Sequence, residues 1–306
     1  MKLLLTGAFK YSEQQLNALK HLGYEILFVS DERIPLQIDV KDVDAVVCNG
    51  LFLYNDIEQF ESLKFIQLTS AGIDRVPLGY IEEHGIKLFN AKGVYSIPMA
   101  EWVVLKILEI YKKSREFYRL QEAHNWEKQR DLLELTGKTA VIIGFGSVGT
   151  EIAKRLKVFG VNVLGVGRRQ IESSFIDEYY LIKHIDDVLK KSDIVILTLP
   201  LTSETRNLLD ANKISKMKDN SILINVSRGG VIDEIALVQA LEEDKFLGVA
   251  LDVFEKEPLL ADSQFWKCDK VIVTPHNSFV SDKTSNRLFE TITKNLGDYR
   301  VNSRNK

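Results

Sequence analysis

The feature that most constrains this 306-residue chain is an apolar run over residues 139–143 that ends at once in Gly144, Phe145, Gly146, Ser147, Val148 and Gly149. An amphipathic helix follows, with Ile152, Ala153, Leu156 and Phe159 on one side. Strand, G-x-G-x-x-G and helix, in that order, predict a phosphate-binding turn. Gly144 permits the tight turn, Gly146 lets backbone approach a pyrophosphate, and Gly149 lets helix and strand pack closely. The helix N-terminus then offers free N–H groups and a partial positive charge to the phosphates.

A dinucleotide site of this type expects an acidic residue at the end of the next strand, to bind the adenine ribose hydroxyls. The run over 162–166 instead ends at Gly167, followed by Arg168 and Arg169. A carboxylate there repels a 2′-phosphate, whereas a glycine makes room for one and two guanidinium groups can grip it. The expected cofactor is therefore NADP(H), with NAD(H) possible.

The first ninety residues alternate short β-type runs, over 2–5, 26–29, 45–48, 65–68 and 87–89, with helix-type stretches. One of these, 12–22, carries Leu16, Leu19 and Leu22 at helical spacing behind Ser12 as N-cap. Alternation of this kind predicts a parallel sheet with helices on its faces. A long helix is expected from Met99 to about Leu120, capped by Ser96 with Pro98 in its first turn. A polar loop over 121–136, holding Trp126, Leu132 and Leu133, suits either a subunit interface or a cover over the chain's own core. A second α/β unit starts near Gly137, with strands over 139–143, 162–166, 194–199, 222–226, 247–251 and 271–274. A last helix over 281–299 is long enough to cross back to the first domain. The expected division is a domain of residues 1–92 and 283–306, interrupted by a second of 93–282, with an inter-domain helix and a dimerisation arm within 97–136.

Forty Lys and Arg against 43 Asp and Glu leave a charge of −3, so no basic stripe announces a nucleic-acid partner. The longest apolar stretches are too short to span a bilayer, and the N-terminus lacks a small-residue cleavage site, which points to a cytoplasmic chain without a membrane partner. Cys48 and Cys268 form neither a disulfide framework nor a metal-ligand spacing, and both are expected as small buried hydrophobes. No metal site is expected.

Three residues fall just beyond successive predicted strand ends, where open α/β sheets place their ligands: Arg228, Glu257 and His276. Each alone is weak, since arginines are usually solvated and glutamates before proline usually cap turns. His21, His84, His124 and His184 lie in helical or loop contexts and read as structural.

Together, residues 144–149, 225–233, 251–258 and 274–278 resemble the D-isomer-specific 2-hydroxyacid dehydrogenases. The resemblance covers nearly the whole chain. Residues 69–74 look like the family's substrate-carboxylate loop, Met99 to Glu101 like its inter-domain helix start, and 192–205 like its strand and loop near the cofactor. What it implies is two doubly wound parallel-sheet domains, a Rossmann nucleotide domain inserted into a flavodoxin-like substrate domain. It also implies a homodimer acting on a small-molecule 2-oxo acid and its D-2-hydroxy acid.

The implied catalytic set is Arg228, Glu257 and His276. Reduction of a 2-oxo acid needs a hydride at the carbonyl carbon and a proton at its oxygen, and histidine is the natural proton donor near neutral pH. A carboxylate beside it fixes the tautomer and stabilises the protonated ring. Arg228 is suited to hold the substrate carboxylate and polarise the carbonyl. The hydride itself belongs to the nicotinamide. Beyond the glycine turn and the two arginines, the implied cofactor contacts are Thr198, Leu199, Pro200, Thr205, Val226, Ser227, Asp252 and Ser278. Asp252 would accept a hydrogen bond from the carboxamide or simply cap a strand end. The backbone around Ala71 and Gly72 would hold the substrate carboxylate.

Family members that act on phosphoglycerate carry basic residues after the third N-terminal strand. Residues 49–54 here contain none, and Leu51 and Phe52 suggest a small or apolar substrate side chain. The chain ends soon after the last predicted helix, so no regulatory domain is expected. A rival reading is a dinucleotide-sensing, corepressor-like protein with little turnover. Formate oxidation is disfavoured by Glu257, where such enzymes carry another residue.

Overall fold

In the computed structural model, residues 1–304 are described, with side chains as far as Val301. The chain divides into two compact units: Met1–Tyr95 together with the segment from Ser281, and Ser96–Val280.

The first unit is a five-stranded, fully parallel sheet. Its elements are β1 (Lys2–Thr6), α1 (Glu13–His21), β2 (Glu25–Val29), β3 (Ala45–Cys48), β4 (Phe65–Leu68), α2 (Leu78–Glu83) and β5 (Lys87–Phe89). The strand order β2-β1-β3-β4-β5 is the flavodoxin-like one. Every residue of β3 and β4 is buried, while edge strands β2 and β5 keep exposed positions. That is why the central strands read as unbroken apolar runs. Ser12 caps α1 in a reciprocal pair with Gln15.

The second unit opens with α3 (Ser96–Tyr111) and α4 (Ser114–Glu122), then runs β6 (Thr139–Ile143), α5 (Ser147–Val158), β7 (Asn162–Gly167), β8 (Glu178–Leu181), α6 (Ile185–Leu189), β9 (Ile194–Leu197), α7 (Ala211–Lys216), β10 (Ser221–Asn225), α8 (Glu234–Glu242), β11 (Phe246–Leu251) and β12 (Val271–Val273). Its seven parallel strands stand in the order β12-β11-β10-β9-β6-β7-β8. This is the Rossmann order with one more strand, and the order reverses between β6 and β9. Leu223 of β10 lies opposite Val195 and Val249, fixing the register at the middle of the sheet. Two apolar clusters cover its faces, one under α5 and α3 and one under α6, α7 and α8. The chain then re-enters the first unit as α9 (Thr284–Arg304), which buries Leu288, Ile292 and Leu296 beside Leu3 and Phe65. A fully buried leucine of this kind contributes roughly 2–3 kcal/mol.

Several expectations change. The single helix over 99–120 is two helices, broken at Lys113, whose φ of 51° is left-handed. The cause is tertiary: the Tyr111 carbonyl accepts from the Leu133 N–H (3.1 Å) rather than continuing the helix ladder. A periodicity cannot register one such residue. The polar loop therefore begins at Ala123. The strand expected over 194–199 ends at Leu197, which releases Thr198 and Leu199 into the loop beyond it. Edge strand β8 has no counterpart in the sequence pattern, because its four residues carry no alternation. Cys48 is buried as expected, but Cys268 is only half-buried. No helix among the described residues is long and apolar enough to cross a membrane.

Candidate active site

The glycine turn leaves β6 where the strand order reverses, so α5 begins at the crevice where such sheets take ligands. Gly144 has φ +95°, and a Cβ there would stand 2.6 Å from the Leu199 backbone nitrogen. Only glycine fits that close approach. Gly149 faces Ile142 of β6, and its added Cβ would press on that side chain at 3.0 Å. Gly146 is the N-cap of α5, has no side-chain cap, and would meet no atom nearer than 3.9 Å. Open space over uncapped first-turn amides fits a pyrophosphate. Phe145 is buried, whereas Ser147 and Val148 are half-buried at the start of α5.

The loop after β9 closes against this turn. Thr198 donates its hydroxyl to the Gly144 carbonyl at 2.8 Å. Leu199 covers Gly144, and Thr205 braces the loop by donating to the Pro200 carbonyl at 2.7 Å. Arg168 and Arg169 follow β7 in exposed positions, and Arg168 lies 3.9 Å from the Glu204 carboxylate.

β10, β11 and β12 are neighbours, so the loops at their ends lie side by side. Arg228 leaves β10 through a tight turn. Asn225 accepts from the backbone and hydroxyl of Ser227 (3.0 and 2.7 Å) and donates to the Arg228 carbonyl (3.0 Å), which leaves Val226 and Ser227 buried as supports. Gly229 then passes beneath the next loop, where a Cβ would fall 1.8 Å from the Phe254 carbonyl carbon. No side chain is possible there. Glu257 folds back on the β11 loop, with Oε1 accepting from the Phe254 N–H at 3.0 Å. Its other oxygen, Oε2, lies 2.8 Å from His276 Nδ1.

Asp252 is wholly buried and builds the loop that carries His276. Its carboxylate accepts from the Thr274 hydroxyl and from the N–H groups of Asn277 (2.8 Å) and Ser278 (2.9 Å). Its carbonyl accepts from the His276 N–H at 2.8 Å, with His276 held at φ 50°. Histidine tolerates this left-handed conformation better than most residues. Asp252 is thus committed to capping the strand end, with one lone pair on Oδ2 left for any ligand.

The other histidines with ring contacts bond to their own helices: His21 to the Asn17 carbonyl and His84 to that of Tyr80. Among the described residues no cluster could hold a metal ion.

In the first unit, Ser70 donates to the Gly72 carbonyl (2.9 Å) and Asn90 to that of Ala71 (2.7 Å), which shapes the 69–74 loop. Leu51 is 0% exposed inside the core of its unit and so presents nothing to a ligand. Phe52 packs edge-on to Phe60 at 5.5 Å. Beneath the 49–54 loop lies Glu32, unforeseen from sequence, accepting from Thr6 and from the N–H groups of Asn49 and Gly50. No spacing announces it, because its partners lie 17 to 26 residues away.

The family profile of the D-isomer specific 2-hydroxyacid dehydrogenase NAD binding domain matches residues 104–278. The chain is 34% identical to hydroxypyruvate reductase of Thermotoga maritima over 276 residues, covering 87% of this chain and 89% of that protein. It is also 34% identical to D-3-phosphoglycerate dehydrogenase of Methanocaldococcus jannaschii over 283 residues. That match covers 90% of this chain and spans about half (53%) of the relative's length. A solved D-isomer specific 2-hydroxyacid dehydrogenase from Xanthobacter autotrophicus Py2, in complex with NADPH and MES, superposes with a TM-score of 0.80 at 25% identity, covering 96% of this chain and 93% of that one. With a Rossmann glycine turn, a histidine–carboxylate pair and these relatives in agreement, the chain belongs to the D-isomer specific 2-hydroxyacid dehydrogenase family.

Proposed function

We propose that the chain reduces a small-molecule 2-oxo acid to its D-2-hydroxy acid, with a preference for NADP(H) over NAD(H). The observation that carries the reading is the 2.8 Å contact between His276 Nδ1 and Glu257, on loops adjacent to that of Arg228. With Nδ1–H donating to the carboxylate, Nε2 is the nitrogen left to face a substrate. Protonated His276 delivers its Nε2 proton to the carbonyl oxygen as charge develops there, and Glu257 holds the ring in place through Nδ1. Arg228 holds the substrate carboxylate and polarises the carbonyl. Ala71 and Gly72 are our proposal for a carboxylate-binding stretch of backbone on the first unit. The nicotinamide, when bound, supplies the hydride. For the cofactor, Gly144 to Gly149 hold the pyrophosphate, Thr198 to Pro200, Thr205, Val226, Ser227 and Ser278 form its walls, and Arg168 and Arg169 meet the 2′-phosphate.

A phosphorylated substrate is disfavoured. Residues 49–54 supply no cation, and the Glu32 side chain lies directly under their backbone. A small substrate, or an apolar one against Phe52, fits that loop better. We further propose a cytoplasmic homodimer. The test is the rate of NADPH oxidation with glyoxylate, hydroxypyruvate, pyruvate and branched 2-oxo acids, repeated with NADH. Turnover fastest with NADPH and an unphosphorylated acid is expected. Tight NADPH binding with no turnover across the panel would replace the enzyme by a dinucleotide sensor. Arg168→Ala should raise the KM for NADPH about tenfold and that for NADH little; equal losses refute the cofactor assignment.

A further inference from the structure

Tyr179 on β8 has no part in the chemistry above, yet its ring crosses the end of the strand that meets the nucleotide. It lies over two glycines of β7. A Cβ on Gly165 would stand 2.8 Å from Tyr179 Cδ2, and one on Gly167 would stand 2.2 Å from the hydroxyl oxygen but 3.4 Å from Cζ. The ring also meets Phe145 of the glycine turn edge-on, with centroids 6.3 Å apart and planes at 88°. It packs on the apolar cluster beneath α5. Glycines on one side and Phe145 on another restrict where the ring can move. Burial pushes the phenol pKa up, so the group is a neutral O–H donor at physiological pH.

The sequence alone reads Gly167 as room made for a 2′-phosphate. The structure gives that room to the tyrosine hydroxyl. We propose that Tyr179 is the specificity-determining residue of this strand end: its hydroxyl fills the volume where a ribose-binding carboxylate would begin, and presents an O–H donor to a ribose 2′-phosphate. This rests on the reading that the chain prefers NADP(H). An acid at 167 needs a Cβ, and a separation of 2.2 Å from oxygen forbids one without displacing the ring. Removing that one oxygen leaves an ordinary van der Waals contact at 3.4 Å.

The test is a double-mutant cycle of Tyr179→Phe and Gly167→Asp, read as Kd for NADPH and for NADH by titration, with Tm for each protein. Tyr179→Phe should melt within about 2 °C of wild type. Its NADPH Kd should rise about tenfold, as for a lost hydrogen bond to a charged group, with NADH unchanged. Gly167→Asp alone should melt lower and gain no NADH affinity. The double variant should recover Tm and bind NADH about tenfold tighter than either single variant. If Gly167→Asp alone gains the full NADH affinity, or Tyr179→Phe loses nothing toward NADPH, the proposal is overturned. The two readings fail separately. A wild type that binds NADH more tightly than NADPH removes the cofactor preference, while the non-additivity of the NADH affinities still tests the lock at Gly167.

Discussion

A side chain becomes an acid or base of defined direction when something else fixes its orientation. The His276 ring is fixed by Glu257 through Nδ1, and Glu257 is in turn fixed by the Phe254 N–H. Replacing His276 by Ala removes the proposed proton donor, so kcat/KM for the 2-oxo acid should fall about 10²–10⁴-fold. Cofactor Kd, which depends on the glycine turn, should stay within a few-fold. Glu257→Gln keeps an acceptor for the ring but weakens the charge-assisted hydrogen bond that orients it, so its loss should be smaller, about tenfold. Steady-state kinetics with cofactor titration checks both. Near-wild-type turnover in His276→Ala would end the assignment. The placement of His276, Glu257 and Arg228 beyond neighbouring strand ends is legible because each follows a readable strand. The Asp252 scaffold beneath them was only half legible, since a buried aspartate at a strand end suits a cap or a ligand equally until its three donors are seen.

At the scale of elements, what could be read depended on whether a signal was local. β3, β4, β5 and β6 came through with their bounds intact, because strands buried on both faces or bracketed by charged and glycine residues stand out as runs. β8 and the break at Lys113 did not, since one is a short edge and the other is set by a hydrogen bond to Leu133, twenty-two residues beyond Tyr111. Asp193, just ahead of β9, shows how a polar residue can tie such strands together. Its carboxylate accepts from the Thr139 N–H at the start of β6 (2.8 Å) and from Lys218 (2.9 Å). Burial opposes ionisation there, yet the Thr139 N–H and Lys218 outweigh it and hold the carboxyl below the usual aspartate range. A carboxyl depressed in the folded state contributes stability that is present above its unfolded pKa, near 3.9, and is lost as pH falls through the folded value. Asp193→Asn should therefore lower Tm at pH 7, with the difference from wild type shrinking below about pH 4. Thermal melts across pH 3–8 check this, and a pH-independent difference would show that the tie is not ionic.

The whole molecule poses a question of solubility that neither unit answers alone. Trp126, between α4 and β6, is 95% exposed, and Leu132 in the same stretch is 37% exposed. Leaving an indole in water forfeits roughly 2–3 kcal/mol that burial would return, and aromatic residues concentrate where subunits meet. The sequence offered two homes for this stretch, the chain's own core or a partner. The exposure of Trp126 removes the first for that side chain, since an indole packed into its own unit would not remain open to solvent. The proposed homodimer would account for it by burying Trp126. Light scattering on the eluting protein should then give twice the chain mass of 34.9 kDa at micromolar concentration. Trp126→Ser should weaken the dimer about 10–100-fold in Kd while leaving Tm of the dissociated chain little changed, because the lost contacts lie between copies. A monomer at tens of micromolar, or a dimer whose Kd ignores Trp126, would require another explanation for the exposed indole.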